Sequence, residues 1–126
     1  MPSLQPLSRD PGHALIVEDN VIIALEVETF LQDLGVASCF IAGTVENALH
    51  VLDARQVAFA IVDVDLGSET SEEVALALQE RGLPFLFVTG YGASAPMARD
   101  FPDVPALMKP FTPAMLRAAL NNLGID

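Results

Sequence analysis

Four short apolar runs punctuate the chain, and each gives way to a polar residue able to do chemistry. Ala14 to Val17 runs into Glu18 and Asp19, Ala58 to Val62 into Asp63, and Phe85 to Val88 into Thr89. The fourth, Val104 to Met108, is interrupted by Pro105 and runs into Lys109. Runs of this length, rich in β-branched and aromatic residues and lacking polar alternation, predict strands buried on both faces. The stretches between them carry helical periodicity, so the chain reads as repeated β-α units, which build a parallel sheet covered by helices on both sides. In such sheets ligands bind in the crevice at the carboxyl ends of the strands. Glu18, Asp19, Asp63, Thr89 and Lys109 all fall at such ends.

The intervening segments carry their own start and stop signals. Asn20 is a good N-cap for a helix running to Leu34, with Ile22, Leu25, Phe30, Leu31 and Leu34 as its apolar side and Gly35 as its stop. Val36 to Ala42 reads as a short second strand at an edge. Thr44 caps a helix that ends near Arg55, and Asp65 to Glu69 is a polar loop. Thr70 with Glu73 fits a capping box opening a helix that ends at Gly82. Gly90 to Pro102 holds two glycines and two prolines, so only Ala95 to Asp100 is compatible with a helix, expected to be short and mobile. Thr112 and Pro113 open the last helix as N-cap and first helical residue, with Met115, Leu116, Ala119, Leu120 and Leu123 on its apolar side.

The length suits one domain, with core to spare for independent folding. Hydrophobic residues make up 52% of the chain, yet the longest apolar stretches fall far short of a membrane span. Residues Met1 to Gly12 hold three prolines and no apolar core of a signal peptide, and are expected to form a flexible arm before a domain at 13–126. The single cysteine, Cys39, excludes an internal disulfide framework and a multi-cysteine zinc site, and fits a reducing cytoplasm. Seventeen acidic residues against six basic ones give a net charge of -11, a field that repels nucleic acid and anionic lipid alike. Only one of those six bases is a lysine, Lys109, so it is a candidate site residue rather than general surface solvation. His13 and His50 have no partner at metal or triad spacing, and Met97 and Met108 read as core filler.

Carboxylates gathered in one crevice repel one another, which favours either a raised pKa or a bound cation. Glu18, Asp19 and Asp63, hard oxygen donors with no histidine beside them, suit Mg²⁺. A carboxylate can also be a nucleophile that becomes an aspartyl-phosphate, given a cation and donors to hold the phosphoryl oxygens. Lys109 offers a point charge and Thr89 a hydroxyl. At Val17-Glu18-Asp19-Asn20, Ile61-Val62-Asp63-Val64-Asp65-Leu66, Val88-Thr89-Gly90 and Met108-Lys109-Pro110-Phe111 the chain resembles a response-regulator receiver domain, the phospho-accepting module of two-component signalling. The resemblance spans Ala14 to Leu123. It implies a doubly wound, flavodoxin-like fold with strand order 2-1-3-4-5, and Asp63 as phosphoacceptor. Asp19, Asp63 and the Asp65 backbone carbonyl would hold the metal, with Glu18 acting mostly through water. Thr89 and Lys109 would contact the phosphoryl group, and the Lys109-Pro110 bond would be cis, an isomer that proline permits. The donor would be a sensor histidine kinase or a histidine phosphotransfer protein, and the output an unidentified protein partner; neither nucleic acid nor membrane is expected.

Pro84 to Gly92 resembles the receiver subclass called FAT GUY, associated with alphaproteobacterial signalling. Two departures from most receivers accompany it. Ala106 stands three positions before Lys109, where an aromatic switch residue is usual, and Gly67 stands where proline is usual. Tyr91 is then the candidate switch residue. Other readings remain open: the receiver portion of a hybrid kinase, a phosphate sink, or a pseudo-receiver that works without phosphate. An enzyme reading takes Asp63-Val64-Asp65 as the nucleophile and acid of a haloacid-dehalogenase-like phosphatase. That motif belongs on a first strand, however, and here it is on the third. The chain is therefore expected to be a signalling phosphoacceptor rather than an enzyme.

Overall fold

Successive residues of a strand point to opposite faces of its sheet, and this protein buries both. A computed structural model describes residues 6–90 and 99–126. Strands β1 (Ala14–Val17), β2 (Cys39–Ala42), β3 (Phe59–Asp63), β4 (Phe85–Thr89) and β5 (Ala106–Met108) form one parallel sheet in the order β2-β1-β3-β4-β5. The described helices are α1 (Val21–Asp33), α2 (Val45–Ala54), α3 (Glu72–Glu80) and α4 (Pro113–Asn122). Leu15, Val17, Ala60, Val62, Phe85 and Phe87 pack with Ala48 and Leu52 of α2 and Val74 and Leu78 of α3. Ala14, Ile16, Phe59, Ile61, Leu86 and Val88 pack with Ala24, Val27 and Leu31 of α1 and Leu116 and Leu120 of α4. The absence of alternation in the sequence thus has its cause: both faces of the central strands are core. The expected fold class and strand order are observed.

Local chemistry explains where elements begin and end, including where they depart from expectation. The Asn20 side chain accepts the N–H groups of Ile22 and Ile23, Thr44 accepts from Asn47, and Thr112 accepts from Met115, as three N-caps should. The α3 capping box does not form. Thr70 is held in an antiparallel bridge to Asp65 that closes the preceding loop, so the helix begins at Glu72 after Ser71, whose side chain makes no capping bond. Strand β2 is shorter than the Val36 to Ala42 reading. The Val36 N–H closes the end of α1 on the Leu31 carbonyl, and the Ala37 N–H is taken by the Asp10 carboxylate. Strand β5 likewise starts only at Ala106, after Pro105, which has no N–H to pair.

The buried stripe of α1 also differs from the expected one. Ala24, Val27, Leu31 and Leu34 face the core, while Ile22 and Leu25 are exposed. The helix sits against the sheet through small Ala24, and the larger Ile22 and Leu25 are turned outward. Met108 is 54% exposed and not core filler. Residues 91–98 lie outside the described residues, and with them Tyr91, Met97 and most of the Ala95 to Asp100 stretch. Beyond them Phe101 is buried, its ring edge-on to both Phe85 and Phe87.

Part of the stretch read as a flexible arm is docked. Leu7 is buried among the α1 and α4 core residues, and its N–H donates to the Leu34 carbonyl at 2.8 Å. Asp10 then accepts from Gly12 and Ala37 at 3.1 and 3.3 Å. Gly12 has φ +119°, and a Cβ there would lie 2.9 Å from the Ala58 side chain, so only glycine passes the chain into β1 at this point.

Candidate functional site

The register of the sheet brings the polar strand ends together. Val17 of β1 lies level with Val62 of β3, so Glu18 and Asp63 are the next residues at the same end. Asp63 lies level with Val88, and Thr89 with Met108, which sets Thr89 and Lys109 on the other side of Asp63. Glu18, Asp63 and Thr89 stand at the ends of β1, β3 and β4, which are buried along their length and have a partner strand on each side, so these side chains are presented from a rigid frame; Lys109 follows the edge strand β5, whose Ala106 and Met108 are exposed.

Lys109 Nζ donates to Asp63 Oδ2 at 2.8 Å and to Glu18 Oε1 at 3.0 Å, bridging two buried carboxylates. The Asp65 N–H donates to the other Asp63 oxygen at 3.1 Å, and the Asn20 N–H to the other Glu18 oxygen at the same distance. Glu18 and Asp63 are therefore oriented from both sides. Asp19 is exposed beside them. Oxygen atoms of Glu18, Asp19 and Asp63 lie within 4.8 Å of one another, and this is a donor set that a hard divalent cation fits. Thr89 is buried at the end of β4, and its carbonyl accepts the Lys109 N–H at 2.8 Å. The Lys109-Pro110 bond is cis.

Glu18, Asp19, Asp63 and Lys109 line an open crevice of about 450 Å³, together with Asn20, Ile23, Asp65, Gly67 and Gly90. A larger hollow of about 740 Å³ lies at the opposite end of the sheet, between Ser8 to Pro11 and Gly124 to Asp126. Its acids are already engaged: Asp10 holds backbone N–H groups and Asp126 pairs with Arg117. The smaller crevice holds the chemistry, because there buried charge is concentrated.

Burial raises the Glu18 carboxyl from its ordinary 4.5 to about 7, with the neighbouring Asp63 adding to the rise and the Asn20 and Lys109 hydrogen bonds opposing it. Burial alone would lower the Lys109 ammonium, but its hydrogen bonds to Asp63 and Glu18 outweigh that and leave its pKa raised. The lysine is a fixed positive charge across the accessible pH range. Of the residues expected at the site, Glu18, Asp19, Asp63, Asp65, Thr89 and Lys109 are brought to one end of the sheet. The Asp65 carboxylate is turned away into the loop, where it accepts the Gly67 N–H at 3.0 Å. Tyr91 lies outside the described residues. Gly67 is a lining residue that sequence reasoning noted only as a departure; a glycine inside a polar loop carries no chemical signal until the fold shows what it touches.

A family model of the response regulator receiver domain matches residues 14–121. The chain belongs to this family. Receiver domains are signalling modules of two-component systems rather than enzymes, and they hold Mg²⁺ at an acidic site of the kind formed here by Glu18, Asp19 and Asp63. Among solved structures, the receiver is similar to SdrG from Sphingomonas melonis Fr1, with 36% identity over 99% of this chain and 100% of that one and a TM-score of 0.78. It shares its fold with a CheY-like receiver domain protein from Methanospirillum hungatei JF-1, at 24% identity over 93% and 95% of the two chains and a TM-score of 0.75. It also shares its fold with the anti-anti-sigma factor PhyR from Bartonella quintana, at 23% identity and a TM-score of 0.73. That match covers 88% of this receiver and 46% of PhyR. No curated protein matches the chain. No helix among the described residues is long and apolar enough to cross a membrane.

Proposed function

We propose that this receiver accepts a phosphoryl group on Asp63 from a phosphohistidine and passes the change to a protein partner. The observation that carries the reading is the Lys109 bridge to Asp63 and Glu18 inside an open acidic crevice. In the reaction, a lone pair on an Asp63 carboxylate oxygen attacks phosphorus, the phosphorus–nitrogen bond of the donor breaks, and the imidazole leaves with its electron pair. Asp63 is oriented for this by the Asp65 N–H and by Lys109, while the open mouth admits a donor. Lys109 then moves from neutralising the free carboxylate to neutralising phosphoryl oxygens, and Thr89 is the hydroxyl donor to the same group. Glu18, Asp19, Asp63 and the Asp65 carbonyl would hold Mg²⁺, which supplies charge neutralisation for the transferring phosphoryl oxygens. The Asp65 carboxylate is held by the Gly67 N–H in the loop, which disfavours it as the second acid of a phosphatase.

The FAT GUY subclass is supported by the Pro84 to Gly90 segment, whose Phe85 and Phe87 rings form a buried cluster with Phe101 directly before Thr89. Ala106 has no ring to serve as a rotamer switch, and Tyr91 is the only tyrosine in the chain, so Tyr91 is proposed as the switch residue. A sensor histidine kinase or histidine phosphotransfer protein as donor, and a cytoplasmic setting, follow from the same reading.

Intact mass after incubation with Mg²⁺ and acetyl phosphate tests it. The wild type should gain one phosphoryl group, Asp63→Asn none, and chelation of Mg²⁺ should prevent the gain. Lys109→Ala should slow the uptake about a hundredfold, the scale of losing one charge-stabilising donor. A wild type that stays unmodified with acetyl phosphate and with histidine kinases would sink the assignment of Asp63.

A further inference from the structure

We propose that the free edge of β2 is an interface between two copies of this chain, the two β2 strands pairing antiparallel about a two-fold axis at Ile41 so that the sheet continues from one copy into the other. Strand β2 has a neighbour, β1, on one side only. The Ala14 N–H donates to the Ser38 carbonyl and the Glu18 N–H to the Ala42 carbonyl, both at 3.0 Å. Ser38, Phe40 and Ala42 therefore turn their backbone groups to β1, and the N–H and C=O of Cys39 and Ile41 point away from the sheet. Among the described residues nothing pairs with them. Edges that stay unpaired usually carry charge, proline or a bulge. At the other edge β5 is preceded by Pro105 and followed by Lys109 and Pro110, whereas Val36 to Val45 holds no charged residue and no proline.

The flanks of this edge are apolar and open. Cys39 packs with the α1 side of the core and Phe40 with the α2 side, so Ile41 stands on the α1 side, where it is 40% exposed. Glu28 of α1 acts on the Cys39 thiol, which sets that flank of the helix beside β2, and the exposed Leu25 and Val21 lie on the same flank at helical spacing. On the α2 side a hollow of about 480 Å³ lies between Phe40, Val51, Ala54 and Arg55. A second copy fits this edge because the pairing is self-complementary. With Ile41 opposite its own copy and Cys39 opposite Gly43 on either side, each free donor meets a free acceptor, and the exposed Ile41 side chains cover each other across the axis. Charge permits it as well. Each copy carries -11, yet the run along the strand is uncharged, and the two-fold sets the two Glu28 side chains at opposite ends of the paired strands. A contact of one short strand and its flanks is small beside a standard interface, so the dimer is weak and concentration-dependent. It leaves the crevice free and stands whether or not Asp63 accepts phosphate.

Sedimentation equilibrium tests it, with wild type from about 1 μM to about 1 mM. The runs would be made at about 0.1 M and about 1 M salt, where charge is screened over about 10 Å and about 3 Å. A monomer–dimer equilibrium that tightens at the higher salt is expected. Ile41→Lys, which sets two ammonium groups face to face across the axis, should stay monomeric even though it lowers the net charge. Met108→Lys, at an exposed position on the other edge, should dimerise like wild type. A second readout does not depend on tolerating a lysine. Facing residues of a hydrogen-bonded antiparallel pair have Cα atoms about 5.5 Å apart, within disulfide reach. Ile41→Cys combined with Cys39→Ser should therefore give a disulfide-linked dimer on mild oxidation, and Leu76→Cys in the same background should not. A wild type that sediments as a monomer throughout, a dimer that survives Ile41→Lys, or one lost in Met108→Lys instead would overturn the inference.

Discussion

Glu18 carries a charge that its surroundings oppose, and the consequence can be measured. Its folded pKa of about 7 lies above the ordinary 4.5, so between those values the native protein holds a proton that the unfolded chain has released. Stability without Mg²⁺ should therefore fall as pH rises from about 4.5 to about 7, and level off above. A bound divalent cation favours the charged carboxylate, so Mg²⁺ should flatten that slope. Urea midpoints across this range, with chelator and with Mg²⁺, read it directly, and Glu18→Gln should remove the Glu18 part of it. An identical slope in wild type and Glu18→Gln would show that the Glu18 proton is not linked to folding. The sequence pointed to Glu18 through its place at the end of the apolar run Ala14 to Val17, where such sheets bind ligands, though a solvated loop acid was the alternative reading there. It could not show the Lys109 contact, which joins positions 91 residues apart.

At the scale of elements, capping chemistry was legible and facing was not. Asn20, Thr44 and Thr112 each perform the bond their residue type advertises, because an N-cap acts on the two or three residues that follow it. Thr70 and Glu73 advertise the same, yet the bridge to Asp65 claims Thr70 first. Which face of α1 is buried depends on its distance from the sheet, a tertiary quantity, and Ala24 outcompetes the larger Ile22 for the inner position. Phe101 packs in the core against Phe85 and Phe87. With one tyrosine and no tryptophan, the protein's intrinsic fluorescence reports Tyr91 alone. Acetyl phosphate with Mg²⁺ should change that fluorescence in wild type and leave Asp63→Asn unchanged. A wild type that gains phosphate with constant emission would argue against Tyr91 as the switch.

For the molecule as a whole, the sheet has a working end and an anchoring end. The amino end is closed by Pro6 to Gly12, with Leu7 buried against Leu34 and Asp10 holding Ala37. We therefore place the start of the folded unit before residue 13. Leu7→Ala should destabilise the protein by about 2 kcal/mol or more, as loss of a buried leucine does. Phosphoryl uptake should be unaffected, because the crevice is at the other end. Equal urea midpoints for Leu7→Ala and wild type would return Leu7 to a loose arm. Nothing in Met1 to Gly12 signalled this docking: three prolines and mixed polarity describe a linker equally well, and one leucine has no period. By itself the sequence determined the α/β class, the strand order through its resemblance, and the identity of the acids and the lysine at the strand ends. Those follow from local apolar runs and from residue type, which neighbours along the chain suffice to express. Tertiary structure alone decided which face of α1 is buried, where β2 and β5 begin, and that Gly67 comes to lie beside Asp19. Each of these is settled by competition between groups distant in sequence for the same space or the same hydrogen bond, and no local pattern records who wins.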